Sequence, residues 1–282
     1  MPGTLFVVAT PIGNLEDITA RALRTLRDVA VVAAEDTRRT RQLLSHFGIS
    51  TPTTSLHEHN EHAKLGSLIR QLQDGASVAL VSDAGTPLVS DPGRQLVSAA
   101  IAAGIRVEPI PGPSAMTAII MASDLISGGF TYVGFAPNRS NELISWVRRL
   151  ALAGQTVVFF EAPHRIAATL RRILDEAGDI QLCVGQELTK VHEQFLRGSV
   201  SEVLAALGEP RGEFTVIAAF PPPSSSSAST PPTAAELRTE IGRITESSGL
   251  KGRAAMAEAG RKFGLATNAV YDLLKGAGDS GD

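Results

Sequence analysis

The densest chemistry in the chain lies in VSDAGTPLVSDPG, residues 81–93. It gathers two aspartates, Asp83 and Asp91, with two glycines, two prolines, two serines and a threonine. Carboxylates in such a loop accept from backbone N–H groups, and Gly85 lets a ligand approach the main chain. The prolines hold the shape before any ligand arrives, which lowers the ordering cost of binding. Loop stabilisation alone also accounts for the aspartates. So much shape-fixing chemistry in one strand exit favours a ligand platform.

Three further loops carry unusual residues. In ATPIGNLEDIT, residues 9–19, Pro11 and Gly13 stiffen and open a turn that leads into a helix capped by Asp17 or Thr19. It lacks the spaced glycines of a dinucleotide fingerprint and the Gly-Lys-Ser/Thr of a P-loop, and both motifs are missing from the whole sequence. In PIPGPSA, residues 109–115, Ser114 and Ala115 are small enough to admit a flat ring; a stiff linker is the alternative. In FFEAPHR, residues 159–165, Glu161, His164 and Arg165 follow one another, with Pro163 opening a helix. A lone histidine is more often structural than catalytic. Arg165 has two outlets, Glu161 or a nucleic-acid phosphate.

Elements must bring these loops together. Continuous apolar runs at 5–9, 29–34, 76–81 and 156–160 read as strands buried on both faces. Between and after them lie helical patterns at 21–26, 40–47, 64–72, 93–103 and 165–177. The alternation predicts an α/β fold with a largely parallel sheet, and such sheets bind ligands at the carboxyl ends of their strands. The proline crossing divides an N-terminal α/β domain, 1–112, from a second α/β domain, 113–220. PPPSSSSASTPP closes residues 221–232 as a disordered Pro/Ser linker. Helical patterns at 234–245, 252–263 and 267–274, with Gly264 ending one and Thr267 capping the next, predict a helix-turn-helix domain over 233–277 and a tail at 278–282. Seven basic residues there balance seven acidic ones, which weakens a DNA-reading role and leaves plain three-helix packing or a dimer contact open.

Whole-chain properties narrow the classes. A net charge of −3 over 282 residues argues against a globally basic protein coating phosphate. Local clusters exist at Arg38, Arg39 and Arg41, at Arg148 and Arg149, and at Arg171 and Arg172; each also fits a solvated helix face. The single cysteine, Cys183, leaves no intrachain disulfide or multi-cysteine zinc site, so no metal is expected. With no secretory start and no membrane-length apolar run, the expected location is the cytoplasm.

The strings VATPIGNLEDIT, AAEDTRRTRQLL, SLHEHNE, VSDAGTPLVSDPG, PIPGPSA, VGFAP, FFEAPHR and GQELTKVHEQ, in that order over residues 4–220, resemble the bacterial ribosomal RNA small subunit methyltransferase I family. That family belongs to the tetrapyrrole methylase-like superfamily, class III methyltransferases with two α/β domains, and many members carry a small helix-turn-helix domain. The resemblance implies 2′-O-methylation of a cytidine ribose in the decoding region of 16S ribosomal RNA, within the small ribosomal subunit. It also implies a homodimer and S-adenosyl-L-methionine held in the interdomain cleft. Carried over by motif, the cofactor contacts are Pro11, Ile12, Asp83, Thr86, Ser114, Ala115 and Ala162.

Methyl transfer from a sulfonium is an in-line displacement with a neutral leaving group, so alignment dominates and a base for the weakly acidic hydroxyl adds to it. One assignment puts the acceptor near Glu35 and Asp36, with Arg38 and Arg39 on the RNA backbone. Acidic residues at a helix N-terminus are also favoured by the helix dipole alone. A competing assignment gives the base role to Glu161, His164 or Glu187, with Lys190 or Arg165 as electrostatic partner. Two other functions stay open: a methyltransferase acting on a tetrapyrrole or other small molecule, and a non-enzymatic helix-turn-helix regulator with a ligand-sensing α/β body.

Overall fold

The computed structural model describes residues 1–222, 233–248, 250–263, 265 and 267–276. Most of the Pro/Ser linker (223–232), Gly264 and the tail 278–282 lie outside the described residues. Five strands build the first sheet: β1 (Thr4–Val8), β2 (Val31–Ala34), β3 (Thr53–Ser55), β4 (Val78–Val81) and β5 (Arg106–Ile110). They stand in the order β3-β2-β4-β1-β5, every pair parallel. The continuous apolar runs have the expected cause. Val78 and Leu80 of β4 face one core, while Ala79 and Val81 face the other.

Helices α1 (Ala20–Asp28) and α2 (Thr37–His46) cover one face through Ala22, Leu26 and Leu44. Helices α3 (Glu61–Gln73) and α4 (Arg94–Ala102) cover the opposite face through Leu68, Leu72, Leu96 and Ala100. The neighbouring strands β1 and β4 therefore send their following helices to opposite faces. Such a topological switch opens a crevice at the carboxyl edge. The buried carboxylate of Glu61 helps fix it, accepting from the N–H groups of Gln95 and Leu96 at 2.8 and 3.1 Å at the start of α4.

Residues 111–114 carry the chain from the first sheet to α5 (Ala115–Met121), which packs through Ile119 on Val158, Cys183 and Ile217 of the second sheet. That sheet contains β6 (Phe130–Phe135), β7 (Thr156–Glu161), β8 (Gln181–Gln186), β9 (Gln194–Ser199) and β10 (Phe214–Ala219), ordered β6-β7-β10-β8-β9. Its far face is covered by α6 (Ser140–Ala153), α7 (Ile166–Ala177) and α8 (Val200–Ala206). Here the expectation of a largely parallel sheet fails: only β6 and β7 run parallel. Connection length accounts for the β8–β9 pair, since β8 turns directly into β9 through residues 187–193 and only antiparallel strands can be joined so briefly; the other two antiparallel pairs come from β10 inserting between β7 and β8.

The described residues from 233 onward form a separate compact unit. Its described helices are α9 (Ala234–Ser248), α10 (Arg253–Phe263) and α11 (Thr267–Gly276), at the three predicted positions. Thr233 and Glu236 form a reciprocal cap at the start of α9. Ile244, Ala255 and Ala259 form its small core, with Ile241 against them. No described helix is long and apolar enough to cross a membrane.

Candidate functional site

At the carboxyl edge of the first sheet, where β1 and β4 diverge, lies a cleft of about 400 Å³. Four chain segments build its near side. Ile12 belongs to the loop after β1, and Glu35 and Arg39 follow β2. Residues 83–86 and 89–91 belong to the loop after β4, and Ser114 and Ala115 to the crossing. The second sheet closes the far side with Phe135, Phe160 to Pro163, and Glu213 to Thr215.

Hydrogen bonds stitch these segments into one frame. Thr10 and Gly85 exchange backbone bonds of 2.9 and 3.0 Å, which joins the first two loops. Gly85 has φ +77°, a conformation that favours glycine, and a Cβ there would also press to 3.2 Å on Ile12 Cγ2. The Thr86 hydroxyl donates to the Pro113 carbonyl at 3.2 Å. Ser90 and Tyr132 hydroxyls meet at 2.6 Å and tie the loop to the second sheet. Leu88 and Ser90 hold positive φ of 72° and 65°, conformations non-glycine residues adopt only when the surroundings impose them.

Three carboxylates gather at one wall. Burial first, and the Asp83 charge second, push the Glu35 carboxyl above its usual range. Asp91 is pushed up to about 6, mainly by burial and further by the charges of Glu35 and Asp83. Asp83 accepts the Asp36 N–H at 2.8 Å and stands 3.5 Å from Arg39. Asp36 turns elsewhere. It caps α2 by accepting from Arg38 N at 2.8 Å, and its bonds to the Arg38 guanidinium hold it well below the usual carboxylate range.

The FFEAPHR segment builds an anchor at the cleft edge. Glu161 is buried and accepts from the Thr169 hydroxyl at 2.6 Å and the Ala162 N–H at 2.8 Å. Arg165 stands 3.4 Å from Glu161 and donates to the carbonyls of Ala136 and Pro137 at 2.8 and 2.6 Å, and to Asn138. It fastens the exit of β6 to the exit of β7. Pro163 sits in a turn three residues before α7 begins at Ile166. Glu187 accepts from Lys190 at 2.8 Å and from the Glu213 N–H at 3.1 Å.

Of the seven residues assigned to the cofactor, Ile12, Asp83, Thr86, Ser114, Ala115 and Ala162 line the cleft. Pro11 lines a neighbouring cavity of about 310 Å³, separated from the cleft by Arg39 and Asp83, which border both. Glu35, Glu161 and Arg39 face the cleft, whereas Asp36, His164, Arg38 and Arg165 are not among its lining residues. Sequence reasoning missed Phe135, Phe160 and the Glu213–Thr215 stretch of the wall. VGFAP and FFEAPHR contain the two phenylalanines but gave them no role. Glu213 to Thr215 stand at the start of an apolar strand and carry no motif. Among the described residues, no group of three or more His, Cys, Asp or Glu is arranged to hold a metal ion.

Known proteins agree with this architecture. The family model for tetrapyrrole (corrin/porphyrin) methylases matches residues 4–204. A ribosomal RNA small subunit methyltransferase I from Xylella fastidiosa is 48% identical over 221 residues, 77% of this chain and 81% of that protein. One from Micromonospora olivasterospora is 40% identical over 279 residues, 97% of this chain and 87% of that protein. The crystal structure of uroporphyrin-III C-methyl transferase from Thermus thermophilus complexed with S-adenyl homocysteine superposes with a TM-score of 0.55 at 19% identity, covering 76% of this chain and 97% of that one. With a switch-point cleft walled by both sheets and relatives of this identity along most of its length, the chain belongs to the tetrapyrrole methylase family, among the ribosomal RNA small subunit methyltransferase I proteins.

Proposed function

We propose that this protein is an S-adenosylmethionine-dependent methyltransferase that methylates the 2′-oxygen of a cytidine ribose in the decoding region of 16S ribosomal RNA. The carrying observation is the acidic cleft at the β1/β4 switch, in a chain whose relatives are named for ribosomal RNA methylation. The residues fit the donor. A cleft of about 400 Å³ has small-molecule size, its apolar residues Ile12, Ala115 and Ala162 suit an adenosine, and its carboxylates suit a sulfonium. When bound, S-adenosylmethionine supplies an electrophilic methyl group on a cationic sulfur.

The protein's part is alignment, which supplies ~7–11 kcal/mol of the barrier where reacting atoms are held in line. Loops 9–19 and 81–93 and the crossing are pre-fastened to one another, so the cleft keeps its shape without ligand. Glu35 takes the ribose proton as the oxygen attacks: it faces the cleft, and burial has raised its proton affinity towards that of a useful base. Asp36 is committed to its helix cap, and Glu161 with Arg165 holds the wall rather than moving a proton. Pro11 acts one layer back, and Arg39 receives RNA phosphate at the rim.

On this reading residues 1–112 and 113–220 are the two jaws, and the protein works in the cytoplasm as a homodimer. Exposed Met121 and Phe130, at the end of α5 and the start of the edge strand β6, supply apolar surface for that contact. The test is transfer of labelled methyl to small ribosomal subunits lacking the modification, with the product located by nuclease digestion and mass spectrometry. A parallel reaction contains a porphyrinogen. Label in a cytidine 2′-O-methyl supports the reading, and label only in the pigment, or none anywhere, ends it.

A further inference from the structure

Phe135 is aimed into the cleft by a defect in the second sheet. Along β6, Phe130, Thr131 and Tyr132 face Thr156, Val157 and Val158 of β7, and then Phe135 faces Phe160. Three steps on β6 thus match two on β7, a bulge of one residue. Gly134 makes the turn with φ +70°, a conformation that favours glycine. Side chains alternate along a strand, so without the bulge Phe135 would share a face with Val133, which packs into the core under α6 and α7. The bulge instead returns Phe135 to the face of Tyr132. Both rings then meet Phe160 edge-on, at 5.3 and 5.5 Å. Bulges beside active sites commonly re-aim one side chain in this way.

The ring so aimed is 56% exposed. It stands on the outer rim of the cleft with Arg39, Ser90 and Glu213, while Ile12, Gly85, Phe214 and Thr215 are buried on the floor. The carboxylates suited to a sulfonium lie on the first-sheet wall. A solvent-open aromatic ring at the mouth, with an exposed arginine on the opposite side of the same rim, matches what unstacked single-stranded RNA seeks: a ring for the base and a cation for the phosphate.

We propose that Phe135 stacks the nucleobase of the nucleotide being methylated and so turns its ribose into the cleft. This rests on the reading of the protein as an RNA ribose methyltransferase. Phe135 is a specificity-determining contact on the acceptor, separate from the donor site. Its fixed row, Tyr132–Phe160–Phe135, is held against loop 81–93 by the Ser90–Tyr132 bond, so the platform and the methyl-donor pocket keep a constant spacing.

The test compares wild type with Phe135→Ala and Phe135→Trp. Four quantities are measured: KM for unmodified small subunits, affinity for S-adenosylhomocysteine by calorimetry, affinity for a short single-stranded cytidine-containing RNA by fluorescence anisotropy, and solution mass. The expected result for Phe135→Ala is a KM roughly tenfold higher, with weaker oligonucleotide binding and donor-product affinity within about twofold of wild type. Phe135→Trp restores both RNA readouts. Equal oligonucleotide affinities overturn the proposal, as does a parallel loss of S-adenosylhomocysteine binding, which would put the ring on the donor. A fall in mass with Phe135→Ala also overturns it, by making the ring a subunit contact. Wild-type protein that transfers no methyl group to RNA refutes the proposed function instead, and the oligonucleotide measurement still decides the stacking role.

Discussion

Asp83 accepts the backbone N–H of Asp36 at 2.8 Å. Two adjacent strand exits, those of β2 and β4, are thereby held together by a side-chain-to-backbone bond. The arrangement sets Glu35 and Asp83 on the same cleft wall, where the Asp83 charge adds to burial in raising the proton affinity of Glu35. The Asp36 N–H dipole offsets part of the repulsion between the two acidic side chains there.

Replacing Asp83 by Ala removes the Asp36 bond and the Arg39 partner together. A hydrogen bond to a charged group contributes about 1.5–3 kcal/mol, so affinity for S-adenosylhomocysteine is expected to fall roughly tenfold or more. Isothermal calorimetry checks this. Asp36→Ala loses a helix cap and an exposed pairing with Arg38, costs about 1 kcal/mol of stability, and leaves that affinity near wild type.

Asp91 gives a pH signature. Its carboxyl is raised from 3.8 to about 6, so between those values the folded state binds more protons than the unfolded chain. Stability attributable to Asp91 therefore falls as pH rises from about 4 to 6. Because the group is partly solvated, the size is discounted to about 1 kcal/mol. Thermal unfolding from pH 4 to 7 should show this slope in wild type and lose it in Asp91→Asn. Ionised Asp91 also favours a cation in the cleft. Affinity for S-adenosylmethionine relative to its neutral demethylated product should rise from pH 5 to 7, and the rise should flatten in the variant.

Glu161 tests anchoring against catalysis. Breaking a buried charged network by removing one partner costs about 3–5 kcal/mol, so Glu161→Ala should lower the melting temperature by several degrees. Thr169→Val removes the 2.6 Å hydroxyl bond without touching the cleft. It should destabilise less and leave kcat unchanged in a methyl-transfer assay at a temperature where both proteins are folded.

Glu187 is a clamp. Burial pushes its carboxyl up, but Lys190 and the Glu213 N–H outweigh this and hold it below its ordinary value. Glu187→Gln should therefore retain kcat within about twofold while losing about 1 kcal/mol of stability. Gly212→Ala should be worse. Gly212 has φ +68°, and its added Cβ would fall 1.8 Å from Glu187 Oε1. Denaturant unfolding should register a loss of about 1–3 kcal/mol, with Glu187 forced out of its seat.

Local signals were sufficient for three of the first sheet's five strands, β1, β2 and β4, but not for β3 or β5. Buried parallel strands need continuous apolar runs, and those at 5–9, 29–34, 76–81 and 156–160 each lie over a strand, the first three in that sheet. Loop 81–93 announced itself through residue types that fix backbone shape, and Thr19 through its capping chemistry. The three C-terminal helices were equally legible. What sequence could not supply was pairing. The antiparallel order of the second sheet depends on β10 inserting between β7 and β8, a choice made by long-range packing that no local pattern records. For the same reason Phe135 and Glu213 were invisible as site residues, because one depends on a one-residue slip against β7 and the other on β10 lying beside β7. Sequence likewise placed Glu35 and Asp36 together, and only the fold separated them. Asp36 turns back onto its own helix, while Glu35 faces the cleft.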